Sequence, residues 1–224
     1  INIIDEISDV SSHDWDACAG QSNPFVSHAF LFALEESGSV TNKTGWLPQH
    51  LLVNDENDQI VACMPIYLKN HSYGEYIFDW GWAEAYNRAG GSYYPKLQAA
   101  VPFTPATGPR MLVKPGCSEH YYQILMSGII QLAEKHKVSS LHITFPPKGQ
   151  WDRLGAAGFI KRTSSQFHWE NKGYTDFDDF LSELTSRKRK GIKKERRQVR
   201  EQGIQLKRLT GEELTEDYWD VFYQ

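Results

Sequence analysis

Two sets of side chains in this 224-residue sequence have the type and setting for proton chemistry. Asp79 and Glu84 stand among Trp80, Trp82 and Tyr86. A carboxylate held between rings is a candidate for taking a proton from an acceptor amine, the work of a positioned general base. His142 and His168 fall in strand-like segments, and an imidazole changes charge near neutral pH. Lys96 and Arg110 flank a proline-rich stretch beside Tyr93, Tyr94 and Phe103, where a cation could orient an anionic substrate group. Each residue also has a plainer reading. The acids and rings could simply pack or face water, the histidines could be hydrogen-bonded strand residues, and the cations could lie on the surface.

The strongest local signal is charge. Between Arg187 and Arg200 there are nine Lys/Arg and one acid, Glu195. Taking those from the totals of 24 and 28 leaves 15 basic against 27 acidic residues elsewhere, so the positive charge is concentrated. On a helix Arg187, Lys190, Lys194 and Arg197 form one stripe, and Arg189, Lys193, Arg196 and Arg200 a second. Ile192 and Val199 leave a narrow apolar seam. Like charges packed this closely call for an anionic answer: a nucleotide diphosphate, a tRNA-like backbone or an acidic protein patch. A solvated charged face is the alternative.

The rest of the composition narrows the class. With 40% hydrophobic and 23% charged residues the chain has material for a core and no bias toward disorder. No run approaches the ~20 apolar residues of a membrane helix, and Ile1–Glu6 carries no signal-peptide pattern. Cys18, Cys63 and Cys117 are odd in number and scattered, which fits a reducing compartment, so the expected location is cytoplasmic. There is no nucleophile elbow, phosphate-binding P-loop, dinucleotide fingerprint or His-Glu-x-x-His, and no histidine pair at ligand spacing. No metal is expected.

The elements that would position these residues read as α/β. A helix is predicted from Pro24 to Glu36 and a hairpin from Gln49–Val53 and Ile60–Leu68. A strand is expected over Tyr73–Trp80 and a helix over Glu84–Ala89. Prolines 95, 102 and 105 keep the 93–105 stretch from being an ordinary central strand throughout, leaving a cleft lining or an edge strand with a loop. A strand over 110–113, a helix over 118–136, a strand over 140–145, a short helix over 151–159 and a strand over 160–169 follow. After about residue 170 the character changes to an acidic-capped helix, the basic helix 186–202, a strand over 204–209 and a helix from Glu212. That last helix has no stop signal, which predicts further sequence beyond residue 224.

The succession ending in Leu154, Gly158 and Phe159 resembles the second half of a GNAT fold. The run from Ser186 to Arg197 ahead of Gly203-Ile204 is similar to the basic helix of Fem-type aminoacyl ligases. With Asp79-Trp80-Gly81-Trp82, Tyr93-Tyr94-Pro95-Lys96-Leu97 and Val101-Pro102-Phe103-Thr104-Pro105, the whole chain resembles the FemAB-like predicted N-acyltransferases. The resemblance implies a mixed central sheet flanked by helices, with a first GNAT-like domain over 1–170 and the beginning of a second over 171–224. It implies transfer of an acyl or aminoacyl group to an amine of a small-molecule or cell-wall-precursor-like acceptor, from acyl-CoA or aminoacyl-tRNA. One junction departs from the GNAT pattern. Where a glycine-rich turn would cradle a pyrophosphate at a helix N-terminus, this chain reads Lys114-Pro115-Gly116-Cys117-Ser118-Glu119, with an acid in the first turn. The rival expectation is a non-catalytic module that binds RNA, another polyanion or an acidic partner through 187–200.

Overall fold

The computed structural model describes residues 1–165 and 167–224. They form two compact units, 1–163 and 164–224. No helix among the described residues is long and apolar enough to cross a membrane.

The first unit is mixed α/β, as the sequence leads one to expect. Its strands are β1 (Asn2–Ile4), β2 (Trp46–Pro48), β3 (His50–Asn54), β4 (Ile60–Met64), β5 (Ile66–Lys69), β6 (Lys96–Ala99), β7 (Leu112–Val113) and β8 (Leu141–Ile143). They make two four-stranded sheets, ordered β1-β3-β4-β7 and β2-β5-β6-β8. Only single residues part β2 from β3 and β4 from β5. Pro65 has no N–H to give to a ladder, whereas Gln49 keeps the sheets in register by donating its N–H to the Ile66 carbonyl at 2.8 Å. All pairings are antiparallel except β6 with β8.

Helix α4 (His120–His136) lies over one face. Its Leu125, Ile129 and Leu132 pack with Leu51, Met64, Ile66 and Leu97 in the main core. Across the first sheet, α1 (Ser12–Ala19) and α2 (His28–Glu36) bury Trp15, Cys18 and Leu31 against Leu52 and Cys63. Ser11 caps α1 by accepting the Asp14 N–H at 3.1 Å, the usual work of an N-terminal serine. Helices α3 (Trp80–Arg88) and α5 (Lys148–Ala156) share a cavity wall with β8.

Some expectations change. The 73–80 segment is not a strand: it runs through turns into α3, which begins four residues earlier than expected. The proline-rich stretch does hold a central strand, because β6 lies between β5 and β8 with all three prolines outside its four residues. Residues 160–165 and 167–169 form no strand, and Gln166 lies outside the described residues.

The second unit has α6 (Phe177–Ser182), α7 (Ser186–Glu201) and α8 (Glu216–Tyr223). Asp176 caps α6 by accepting the Asp179 N–H at 2.8 Å, and Trp169, Tyr174 and Phe180 pack edge and face beside it. Residues 204–209, expected as a strand, have no regular structure.

Candidate active site

Alternation along the second sheet decides what its two faces can do. Leu68, Leu97 and Leu141 are register partners and point to the apolar core under α4, as do Ile66, Ala99 and Ile143. The residues between them face the other way. That opposite face carries Tyr67 and Lys69 from β5, Lys96 and Gln98 from β6, and His142 from β8. Lys69, Lys96 and Gln98 are fully buried. Polar groups this deep cost stability unless they are paired. The 70–95 segment supplies the partners, bringing Glu75, Asp79 and Tyr93 over the sheet.

Lys96 Nζ lies 2.6 Å from Glu75 Oε2 and 2.6 Å from Asp79 Oδ2. Tyr93 donates its hydroxyl hydrogen to the same Asp79 oxygen at 2.6 Å. Tyr93 Oη stands 3.3 Å from His142 Nε2, with Ser140 Oγ 2.8 Å from that nitrogen. A chain of contacts thus runs from buried Asp79 through Tyr93 to His142. Since Tyr93 spends its hydrogen on Asp79, it offers His142 a lone pair. An imidazole protonated at Nε2 satisfies that contact and leaves Nδ1 as the acceptor. Among the described residues, Glu75 Oε1, Asp79 Oδ1 and Gln98 Oε1 are buried acceptors that no protein group donates to.

The electrostatics follow from burial and from one cation shared by two acids. Burial, reinforced by the positive charge of Lys96 and only partly offset by Asp79, pushes the His142 pKa down to about 4. Burial raises Glu75 despite its bond to Lys96. It works against Asp79 too, yet the hydrogen bonds from Lys96 and Tyr93 hold that carboxyl below its ordinary value. Lys69 Nζ sits 3.4 Å over the Trp46 ring and donates to the Tyr73 carbonyl at 3.3 Å. Burial lowers its pKa to about 7.

His142 and Lys69 therefore both release their protons earlier in the native state than in the unfolded chain. The unfolded state binds more protons between pH ~4 and 6.5 for His142 and between ~7 and 10.5 for Lys69. Stability rises with pH across both windows and is lost as the solution is acidified through them. Denaturant midpoints measured from pH 7 to 10 are expected to climb in the native chain. The slope should flatten in Lys69→Met; an unchanged slope would show that Lys69 keeps its charge at neutral pH.

Beside this cluster is a cavity of about 540 Å³, within the ~300–1,000 Å³ range of small-molecule sites. Tyr93, Ser140 and His142 line it on the polar side, and Trp82 and Tyr86 of α3 form a wall. It continues past β8 to Leu141, Ile143, Leu154 and Phe159, side chains of the main core and its margin.

Of the residues singled out in the sequence, Asp79, Tyr93, Lys96 and His142 come together here. Lys96 holds two carboxylates rather than facing open space. Arg110 is buried elsewhere: its guanidinium is taken up by the carbonyls of Thr144, Gly108 and Ala106, each at 2.9 Å, which fastens the loop between β6 and β7. Glu84 is exposed on α3, 3.5 Å from Arg88. Tyr94 stacks edge-on against Tyr93, its ring 6.0 Å from Lys96 Nζ. His168, Arg187, Lys190, Lys194 and Arg197 belong to the second unit. Sequence reasoning passed over Lys69, Glu75, Gln98 and Ser140. The signal was present for two of them, because Lys69 and Gln98 each interrupt an apolar strand at the alternating position.

An acyl-CoA donor held in the GNAT manner would need free amides at the start of α4. The residues there do not fit its diphosphate. His120 N–H donates to Ser118 Oγ at 3.2 Å, and the Tyr121 and Tyr122 amides bond to the Ser118 and Glu119 carbonyls. Glu119, at the cap, is paired with Arg153. A carboxylate at the positive end of the helix competes with a phosphate for the same field. No group of three or more metal-ligating side chains gathers among the described residues.

Comparison with solved structures finds likenesses at low identity. The aminoglycoside antibiotic 6'-N-acetyltransferase AAC(6')-Ig from Acinetobacter haemolyticus is similar with a TM-score of 0.41 and 13% identity, over 76% of this chain and 99% of that one. For AAC(6')-Ih from Acinetobacter baumannii the values are 0.41, 15%, 77% and 99%. For a mutant of the BH1408 protein from Bacillus halodurans they are 0.43, 9%, 76% and 100%. No curated protein sequence matches the chain. Residues 6–224 match the family described as FemAB-like, peptidoglycan biosynthesis/recognition, and the chain belongs to that family.

Proposed function

We propose that this chain is an N-acyltransferase that moves an acyl or aminoacyl group onto the amine of a small-molecule or cell-wall-precursor-like acceptor. The observation that carries the reading is the Asp79–Tyr93–His142 chain ending at the cavity; membership of the FemAB-like family supports it. In this reading the acceptor amine attacks the activated carbonyl, a C–N bond forms and the donor's leaving group departs. His142 Nδ1 takes the proton that the nitrogen loses. Asp79, whose Oδ2 lies 4.0 Å from Nε2 with Tyr93 between them, offsets part of the cost of burying the imidazolium so formed. Tyr93, Ser140 and His142 line this end of the cavity and give an N–H group polar partners there. The poor fit at α4 favours a donor other than acyl-CoA bound in the GNAT manner, and aminoacyl-tRNA is the other donor class of the family's Fem-type relatives. The test is product formation from labelled acyl thioesters and charged tRNA with an amine panel. Amide product with the native chain and its loss in His142→Ala support the reading; equal product in both contradicts it.

A second reading rests on α7. All nine of its basic residues are exposed or half-exposed. Among the described residues only Lys193, 2.8 Å from Asp178, and Arg197, 3.7 Å from Glu201, pair with an acid. A polyanion bound there would release counterions, so its affinity should fall by ~10³-fold or more between 50 and 200 mM salt if about six phosphates are neutralised. Lys190→Ala/Lys194→Ala should weaken binding and reduce the salt slope by about two. RNA affinity insensitive to salt and to the double substitution would remove this reading.

A further inference from the structure

The cavity touches both faces of the sheet, and that sets the kind of group it can hold. Ser140 and His142 line it on the polar face. Leu141 and Ile143, alternate residues of the same segment, line it on the apolar face together with Leu154 and Phe159. It passes from one face to the other around β8, which pairs on one side with β6 and ends the sheet order on the other. A ligand filling it has a polar end and an apolar end.

We infer that the group transferred is an apolar acyl chain of medium length, seated with its tail against Leu141, Ile143, Leu154 and Phe159. The inference rests on the N-acyl-transfer reading for the direction of the chain. His142, which takes the nitrogen's proton in that reading, lines the polar face and sets the amide nitrogen there. The carbonyl-bearing half then runs around β8 to the apolar side. A two-carbon acyl group would leave most of the ~540 Å³ unfilled, and an apolar wall gains only from what covers it.

The product of N-acyl transfer is an amide, so N-methylalkanamides are minimal, uncharged product mimics. Trp82 and Trp151 line the cavity, and their fluorescence reports binding to the full chain without turnover. Affinity for N-methylalkanamides of four to ten acyl carbons is expected to rise about fourfold per methylene, the equivalent of ~0.8 kcal/mol each, until the cavity is full. N-methyloctanamide should bind more tightly than its isomer N-heptylacetamide, which carries the tail on the nitrogen. Gly155 of α5 also lines the cavity, and the nearest atoms to a Cβ there are those of the Lys161 side chain, an exposed chain whose end would have to shift from its exposed pair with Asp152. Gly155→Leu should therefore weaken N-methyloctanamide at least tenfold with the melting temperature unchanged. If that variant fails to fold, the isomer pair still decides in the native chain. Affinity flat with chain length, or N-heptylacetamide binding equally or better, overturns the inference. The two proposals fail separately: chain-length-dependent binding without transfer from any donor keeps the acyl pocket and removes the transferase, and transfer restricted to two-carbon donors does the reverse.

Discussion

Lys96→Met is expected to cost about 3–5 kcal/mol, the penalty of leaving buried acids without their cation. Lys96 is fully buried and is the shared partner of two carboxylates that are themselves at most 3% exposed. Methionine fills much of the same space, so packing changes little and the electrostatic loss dominates. In a unit of this size that corresponds to a fall in Tm of roughly 10 °C. The control is the triple variant Lys96→Met/Glu75→Gln/Asp79→Asn. With these charges gone the buried group left is Lys69, whose pKa burial already brings to about 7 and which can shed its proton, so most of the loss should return. Calorimetric melting of the three proteins checks this. A triple variant no more stable than the single one would show that Lys96 matters for shape and not for charge.

His142→Ala is expected to slow acyl transfer by about 10²–10⁴, the usual contribution of a positioned general base, while the fold persists. The ring is the far end of the buried chain, and its removal leaves Lys96 paired with Glu75 and Asp79. Tyr93→Phe should be milder, because it deletes the hydroxyl between Asp79 and His142 and keeps the imidazole. A base acting only in the transition state lowers kcat and leaves KM nearly unchanged. Single-turnover rates for the three proteins with the same donor and amine separate these cases. A His142→Ala protein that keeps its kcat and loses only KM would make His142 a binding residue.

Much of this site could be read before the structure, and the reason is local. Asp79 among aromatic rings, His142 inside Leu-His-Ile-Thr, and Tyr93 and Lys96 beside a proline each stand out from their neighbours. Their meeting could not be read. It depends on β6 pairing with β5, 27 to 33 residues away, and with β8, 44 residues away, and on the 73–80 segment turning over the sheet instead of joining it. Two rings of that segment, Phe78 and Trp80, stack at 4.8 Å on the surface instead. Arg110 misled for a related reason. A guanidinium near aromatics looks like an anion site, but its fork of donors suits loop carbonyls equally well. The basic helix was plain from charge spacing alone, since its helical stripes need no partner to be recognised.

The pH dependence of kcat for acyl transfer tests the central claim most directly. If neutral His142, held in its buried contact with Tyr93, takes the amine proton, activity should persist through pH 6 and fall only on an acid limb near 4, and His142→Ala should be slow at every pH. An acid limb near the ordinary histidine value of 6.5, or one that survives unchanged in His142→Ala, would place the base elsewhere and contradict the account.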